Sequence, residues 1–147
     1  GLLKKKSPVT AADVDELCLD DGSRNLLRLL DGLCTGDFAG VLKSLHAMAR
    51  TGDLIPTLTP IHNRMRLAWY SGLGKDAPAF AKALGAKDYA WRMAKQADQR
   101  YGHGAVTDFI AALIRMNIEE RSGIGSGWQG LETAIIGLMG SADNTRR

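Results

Sequence analysis

The chain has 147 residues, with 19 Lys and Arg against 16 Asp and Glu, three histidines and two cysteines. That length suits one domain and needs no disulfide or metal to close a core, and two cysteines cannot make a disulfide framework. The formal charge of +3 comes from the ends: Lys4, Lys5, Lys6, Arg146 and Arg147 lie in the tails, and residues 7–145 carry a net −2, so composition offers no basic face for DNA.

The opening Gly1-Leu-Leu-Lys-Lys-Lys-Ser-Pro8 has no apolar h-region, which argues against a signal peptide. It reads as the cut end of a longer chain, with residues 1–9 as a linker or tail. No apolar run reaches membrane-spanning length. With Cys18 and Cys34 in apolar surroundings, the expected setting is a reducing, cytoplasmic one. His46, His62 and His103 show no metal-ligand spacing.

Almost every segment repeats at helical period. Thr10-Ala-Ala-Asp13 opens a short helix over 11–19, on Val14, Leu17 and Cys18. Asp20-Asp-Gly22 reads as a break before a leucine-rich helix over 25–34. Thr35-Gly-Asp37 and Thr51-Gly-Asp53 then bracket a helix whose stripe is Phe38, Val41, Leu42, Leu45, Met48 and Ala49. In each tripeptide Gly is expected to end one helix in a left-handed conformation and Asp to cap the next.

The following helix, about 54–71, contains Pro56 in its first turn and Pro60 further in. Pro60 predicts a kink, or a restart with Thr59 as cap. Ile61, Met65, Ala68 and Trp69 are expected inward, and Arg64 and Arg66 outward. A loop over 71–76 leads to a short helix, Ala77–Leu84, capped by Asp76 and ended by Gly85. Asp88–Tyr101 follows, with Trp91, Ala94, Ala97 and Tyr101 on one face. Gly102-His-Gly104 should stop it. Ala105–Arg121 is the longest amphipathic run, on Val106, Phe109, Ile110, Leu113, Ile114 and Met116. The last helix is expected over 127–139, with 140–147 as a disordered tail. The product is an all-α, compact bundle of about seven or eight short helices, with its domain body over 10–139.

Gly125-x-Gly127-x-x-Gly130 matches the dinucleotide pattern GxGxxG. The physical fingerprint needs a strand before the glycines and an acid about twenty residues on. Here a helix precedes them, so a helix–helix hinge with Gly123 as C-terminal cap is expected. Gly72-Leu-Gly-Lys75 is no phosphate loop, because it lacks the spacing and the Ser or Thr after Lys. Ser126 is out of place for a nucleophile elbow. The acid pairs Asp20-Asp21 and Glu119-Glu120 do not share a helix face. These patterns carry no catalysis and call for no cofactor or metal.

The order Ser7-Pro-Val-Thr-Ala-Ala-Asp-Val-Asp-Glu-Leu17, the leucine helix, the Thr-Gly-Asp-bracketed helix, Ile55-Pro56, Asn63-Arg-Met-Arg-Leu67, Ala83-Leu-Gly85, Met116-Asn-Ile-Glu-Glu-Arg-Ser-Gly123 and Trp128-Gln-Gly-Leu-Glu132 resembles the C-terminal helical domain of the delta subunit of bacterial DNA polymerase III. The resemblance spans about residues 7–139. Asn117 and Arg121 stand where that family usually has Asp and Lys, and Pro60 is unusual. The resemblance implies a clamp-loader collar-like fold. It implies an oligomerisation module for the clamp-opening subunit in DNA replication, with no catalysis of its own.

The partners implied are the delta-prime and gamma/tau subunits, through the collar. The sliding clamp would be reached only through N-terminal modules outside this sequence, and DNA only in the assembled loader. Aromatic and Arg anchors suit such contacts. They are Arg64, Arg66, Trp69 and Tyr70 on one helix, with Arg92 and Trp128 elsewhere. Core packing accounts for each tryptophan at least as well. Two other readings use the same helices: a free-standing helical adaptor, or a DNA-binding helical domain reaching out with Arg92, Lys95, Gln96 and Arg100.

Overall fold

In a computed structural model of the chain, residues 20–146 are described, with side chains to residue 142. The expected 11–19 helix and the 1–9 tail lie outside the described residues. Among the described residues all the regular structure is helical: α1 (Asp21–Thr35), α2 (Phe38–Thr51), α3 (Leu54–Ser71), a 3-10 turn (Gly74–Asp76), α4 (Ala77–Ala83), α5 (Asp88–Tyr101), α6 (His103–Arg121) and α7 (Gly127–Arg146). The all-α bundle is as expected. In it α1 packs on α2 and α5, α3 on α5 and α6, and α6 on α7.

One continuous core joins all of these α-helices except α4. Leu29 and Leu33 of α1, Val41 and Leu45 of α2, and Leu58, Ile61 and Met65 of α3 are fully buried. Val106 and Leu113 of α6 and Leu131 and Ile135 of α7 complete it. Each such side chain contributes roughly 1.5–3 kcal/mol when removed from water. Short helices are marginal alone, so this shared burial is what holds them helical.

Several boundaries differ from the sequence reading. Asp20-Asp-Gly22 is no break, because α1 already begins at Asp21. The Asp20 carboxylate accepts the Ser23 backbone N–H at 2.7 Å, which caps the helix and holds that carboxyl below its usual pKa range. Asp21 adds a favourable charge in the first turn. Pro60 brings no restart, since α3 runs unbroken from Leu54 to Ser71. An interior proline costs about 3 kcal/mol, but burial of Leu58, Ile61 and Met65 outweighs it at about 1.5–3 kcal/mol apiece.

The two Thr-Gly-Asp turns are not equivalent. Gly36 is left-handed (φ 85°) and Asp37 caps α2 through the Gly40 N–H, as expected. Gly52 is extended (φ −117°), and Asp53 makes no side-chain cap. There the Thr57 hydroxyl bonds back to the Asp53 carbonyl at 3.1 Å instead. Asp76 likewise makes no side-chain cap for α4. Gly102 alone separates α5 from α6, and its φ of 89° suits glycine; His103 and Gly104 are already in α6. α7 continues to Arg146 rather than ending near 139. Phe38, first in the α2 stripe, stays exposed at the bundle end.

The glycine-rich turn is built from the inside. The N–H groups of Gly123 and Ile124 return to the Glu120 and Glu119 carbonyls (3.2 and 3.0 Å), with Gly123 at φ 80°. This closes α6 with a Schellman motif, so Gly123 is the expected cap. The Glu120 carboxylate then reaches over the turn and accepts the Gly127 N–H at 2.6 Å. An acid of the same chain therefore holds the N-terminus of α7, where a pyrophosphate would sit in a dinucleotide loop.

Candidate partner interface

Arg64 does not face solvent. It is 7% exposed because it stands three residues from Ile61 and four from Ala68, on the buried stripe of α3. Its Nη1 donates to Asp31 Oδ1 at 3.0 Å, and the Tyr89 hydroxyl donates to Asp31 Oδ2 at 2.7 Å. One α1 carboxylate thus receives donors from α3 and α5. The hydrogen bond to Asp31, then burial, raises the Tyr89 pKa. Burial raises that of Cys34 beside Arg64, and the guanidinium only partly offsets it. Arg64 is an internal clamp, a correction to its placement as an interface anchor.

The same logic ends α1. That helix has no basic residue in its last turn; α5 supplies the donors. The Tyr101 hydroxyl donates to the Leu33 carbonyl, and Arg100 Nε to the Cys34 carbonyl at 3.4 Å. A cation at a helix C-terminus complements its dipole. Burial pushes the Tyr101 pKa up to about 12. Arg100 is half-buried and its Nε is tied to the end of α1 rather than projecting freely. Arg92, Lys95 and Gln96 remain exposed on α5.

Three of the six anchors come together. Arg66, Trp69 and Tyr70, at i, i+3 and i+4, share one face of α3. With Thr107 and Ile110 of α6 they line an open groove of about 270 Å³. Two of its polar side chains are paired within the fold. Trp69 Nε1 donates to Thr107 Oγ1 at 3.0 Å, and Thr107 Oγ1 donates to the His103 carbonyl at 2.8 Å. Aromatic contacts fix the rings: Trp69 lies 4.9 Å from the His103 ring, and Tyr70 stacks on Phe80 at 4.9 Å. His103 is in turn held by Asp98 at 3.2 Å. Burial, then the Arg66 charge, depress the His62 pKa on the same helix.

The groove continues along α6. Ile110, Ile114 and Ile118 follow at steps of four, and Ile114 and Ile118 are 48% and 61% exposed. Ile114 was expected among core residues. It lies outside because Val106, Phe109, Leu113 and Met116 already fill the buried stripe, and Ile114 is turned about 100° past Leu113. The sequence reading missed Ile118, although the repeated spacing of four was there to find it. Ile124, 75% exposed in the turn, extends the apolar surface. Arg92 and Trp128 do not line the groove. Arg92 is exposed on α5, and Trp128 packs against the core from α7.

Chemically, the groove presents apolar area, with the Trp69 and Thr107 polar groups turned to partners inside the fold. The Ser71 hydroxyl is spent on the Ala68 carbonyl at 2.6 Å. Among the described residues no group of three His, Cys, Asp or Glu could hold a metal, and no helix is long and apolar enough to cross a membrane. No family model, curated protein or solved structure compared with the chain matches it.

Proposed function

We propose that this chain is the collar module of a clamp-opening subunit of the delta type. In this reading it is a non-catalytic domain that joins the helical modules of the other clamp-loader subunits. It would position the clamp-opening arm carried by modules outside this sequence. The observation that carries the reading is the uncovered aromatic and aliphatic face on α3 and α6. Trp69 and Tyr70 line the groove, Ile114 and Ile118 extend it as exposed apolar surface, and the Trp69 and Thr107 polar groups beside them are paired within the chain, leaving an apolar centre with Arg66 at its rim, the composition of a protein contact. The order of motifs set out above supports the delta assignment.

Co-purification tests it. The chain, expressed with delta-prime-like and gamma/tau-like subunits of its own source, enters their complex and hydrolyses no ATP. A specific complex with an unrelated protein, and none with those subunits, rejects the collar and favours a free-standing adaptor. Salt-dependent binding of duplex DNA by the chain alone favours the DNA-binding alternative.

A further inference from the structure

The same α6 face is complementary to itself. Asp108 and Arg115 are both exposed, carry opposite charge, and make no hydrogen bond or ion pair among the described residues. They lie seven residues apart, on one edge of the apolar stripe. Ala111, also exposed, sits midway between them and is small enough for a second helix to approach closely.

The geometry points to an isologous dimer in which α6 packs antiparallel against α6 of a second copy, about a twofold axis beside Ala111. Asp108 of each copy then faces Arg115 of the other. Ile110 lies against Ile114 of the other copy. Ile118, the most exposed large apolar residue within α6, reaches the Thr107 end of the other copy's groove. These pairings agree in register to within two residues, about 3 Å of helix. A twofold contact requires that matching, since each residue meets its counterpart's partner twice. The knob, Ile118, and the groove lined by Trp69 and Thr107 are on the same surface, so one operation fills both grooves.

This inference does not rest on the collar reading, and its test is separate. Sedimentation velocity on the full chain alone shows a concentration-dependent dimer, with a dissociation constant of ~1–100 μM. Asp108→Arg and Arg115→Asp, each alone, set like charges opposite one another and weaken the dimer at least ~tenfold. The double variant restores the opposite-charge pairs and dimerises within ~threefold of the parent. Ile118→Asp gives a monomer with unchanged helical circular dichroism.

A chain that stays monomeric to ~1 mM overturns the proposal. So does a dimer indifferent to both single reversals, or a double variant as weak as the singles. The dimer and the loader contact compete for this face, so co-purification is run with the chain diluted below the dimer's dissociation constant; failure there, with the dimer seen at higher concentration, removes the collar reading alone.

Discussion

The Arg64–Asp31 clamp gives a stability prediction with an internal asymmetry. The two partners are unequally buried: the side chains are 8% and 25% exposed. Replacing Asp31 with Ala leaves the Arg64 guanidinium buried without its counter-charge, and strips the Tyr89 hydroxyl of its acceptor. Removing one partner of a buried pair costs roughly 3–5 kcal/mol. The partial exposure of Asp31 places this case at the lower end. Replacing Arg64 with Met refills the apolar volume. It leaves Asp31 able to take up water and to keep the Tyr89 hydrogen bond. That loss is about 1–2 kcal/mol.

At about 3–4 °C per kcal/mol for a chain of this size, Asp31→Ala lowers Tm by roughly 10 °C and Arg64→Met by roughly 3–8 °C. Urea denaturation and calorimetry on both variants measure the difference. The double variant Asp31→Ala/Arg64→Met should be more stable than Asp31→Ala alone, because the orphaned charge has gone. Equal losses, or a larger loss for Arg64→Met, would refute the reasoning that burial of the guanidinium sets the asymmetry.

Three further outcomes follow from local geometry. Tyr101 is a raised acid group, so its contribution is complete below pH 10 and is lost as pH rises through about 12; Tyr101→Phe should remove about 2 kcal/mol of the alkaline decline between pH 9 and pH 11.5, read from denaturation at both. A Cβ at Gly125 would stand 2.1 Å from Glu120 Oε1, so Gly125→Ala destabilises the parent by about 1–2 kcal/mol, and a double-mutant cycle with Glu120→Ala should show a smaller loss. Pro60→Ala adds a hydrogen-bond donor inside α3 and should raise stability by roughly 1–3 kcal/mol in urea titration; a loss would mean that the proline ring is needed in the groove it lines with Leu30 and Leu84.

Helix number and class were readable because apolar spacing repeats at helical period in almost every segment. The Gly36–Asp37 and Gly123 caps were readable because their chemistry is local. What escaped depended on tertiary packing. Arg64 looks like a surface charge until Asp31, 33 residues away, is brought beside it. Pro60 should break a helix, and does not, because three neighbours are buried. Ile114 and Ile118 are as apolar as the core residues beside them, and only the filled stripe of Val106, Phe109 and Leu113 decides that they stay outside. Glu120 shows no signal for its role, since its partner is a backbone N–H across a turn. Of the six proposed anchors, Arg66, Trp69 and Tyr70 share a groove because spacings of three and four put them on one face. Arg92 and Trp128 were chosen by residue type alone, and the fold does not join them to it.

The central claim is that this chain acts through the α3–α6 face. It is tested most directly by titrating the purified loader subunits against the parent chain, Ile118→Asp and Arg92→Asp in a biolayer or calorimetric assay. The account predicts a complex with the parent, at least ~tenfold weaker binding for Ile118→Asp because a charge is forced into an apolar contact, and no change for Arg92→Asp. No complex with the parent, or one that Ile118→Asp leaves intact, would contradict it.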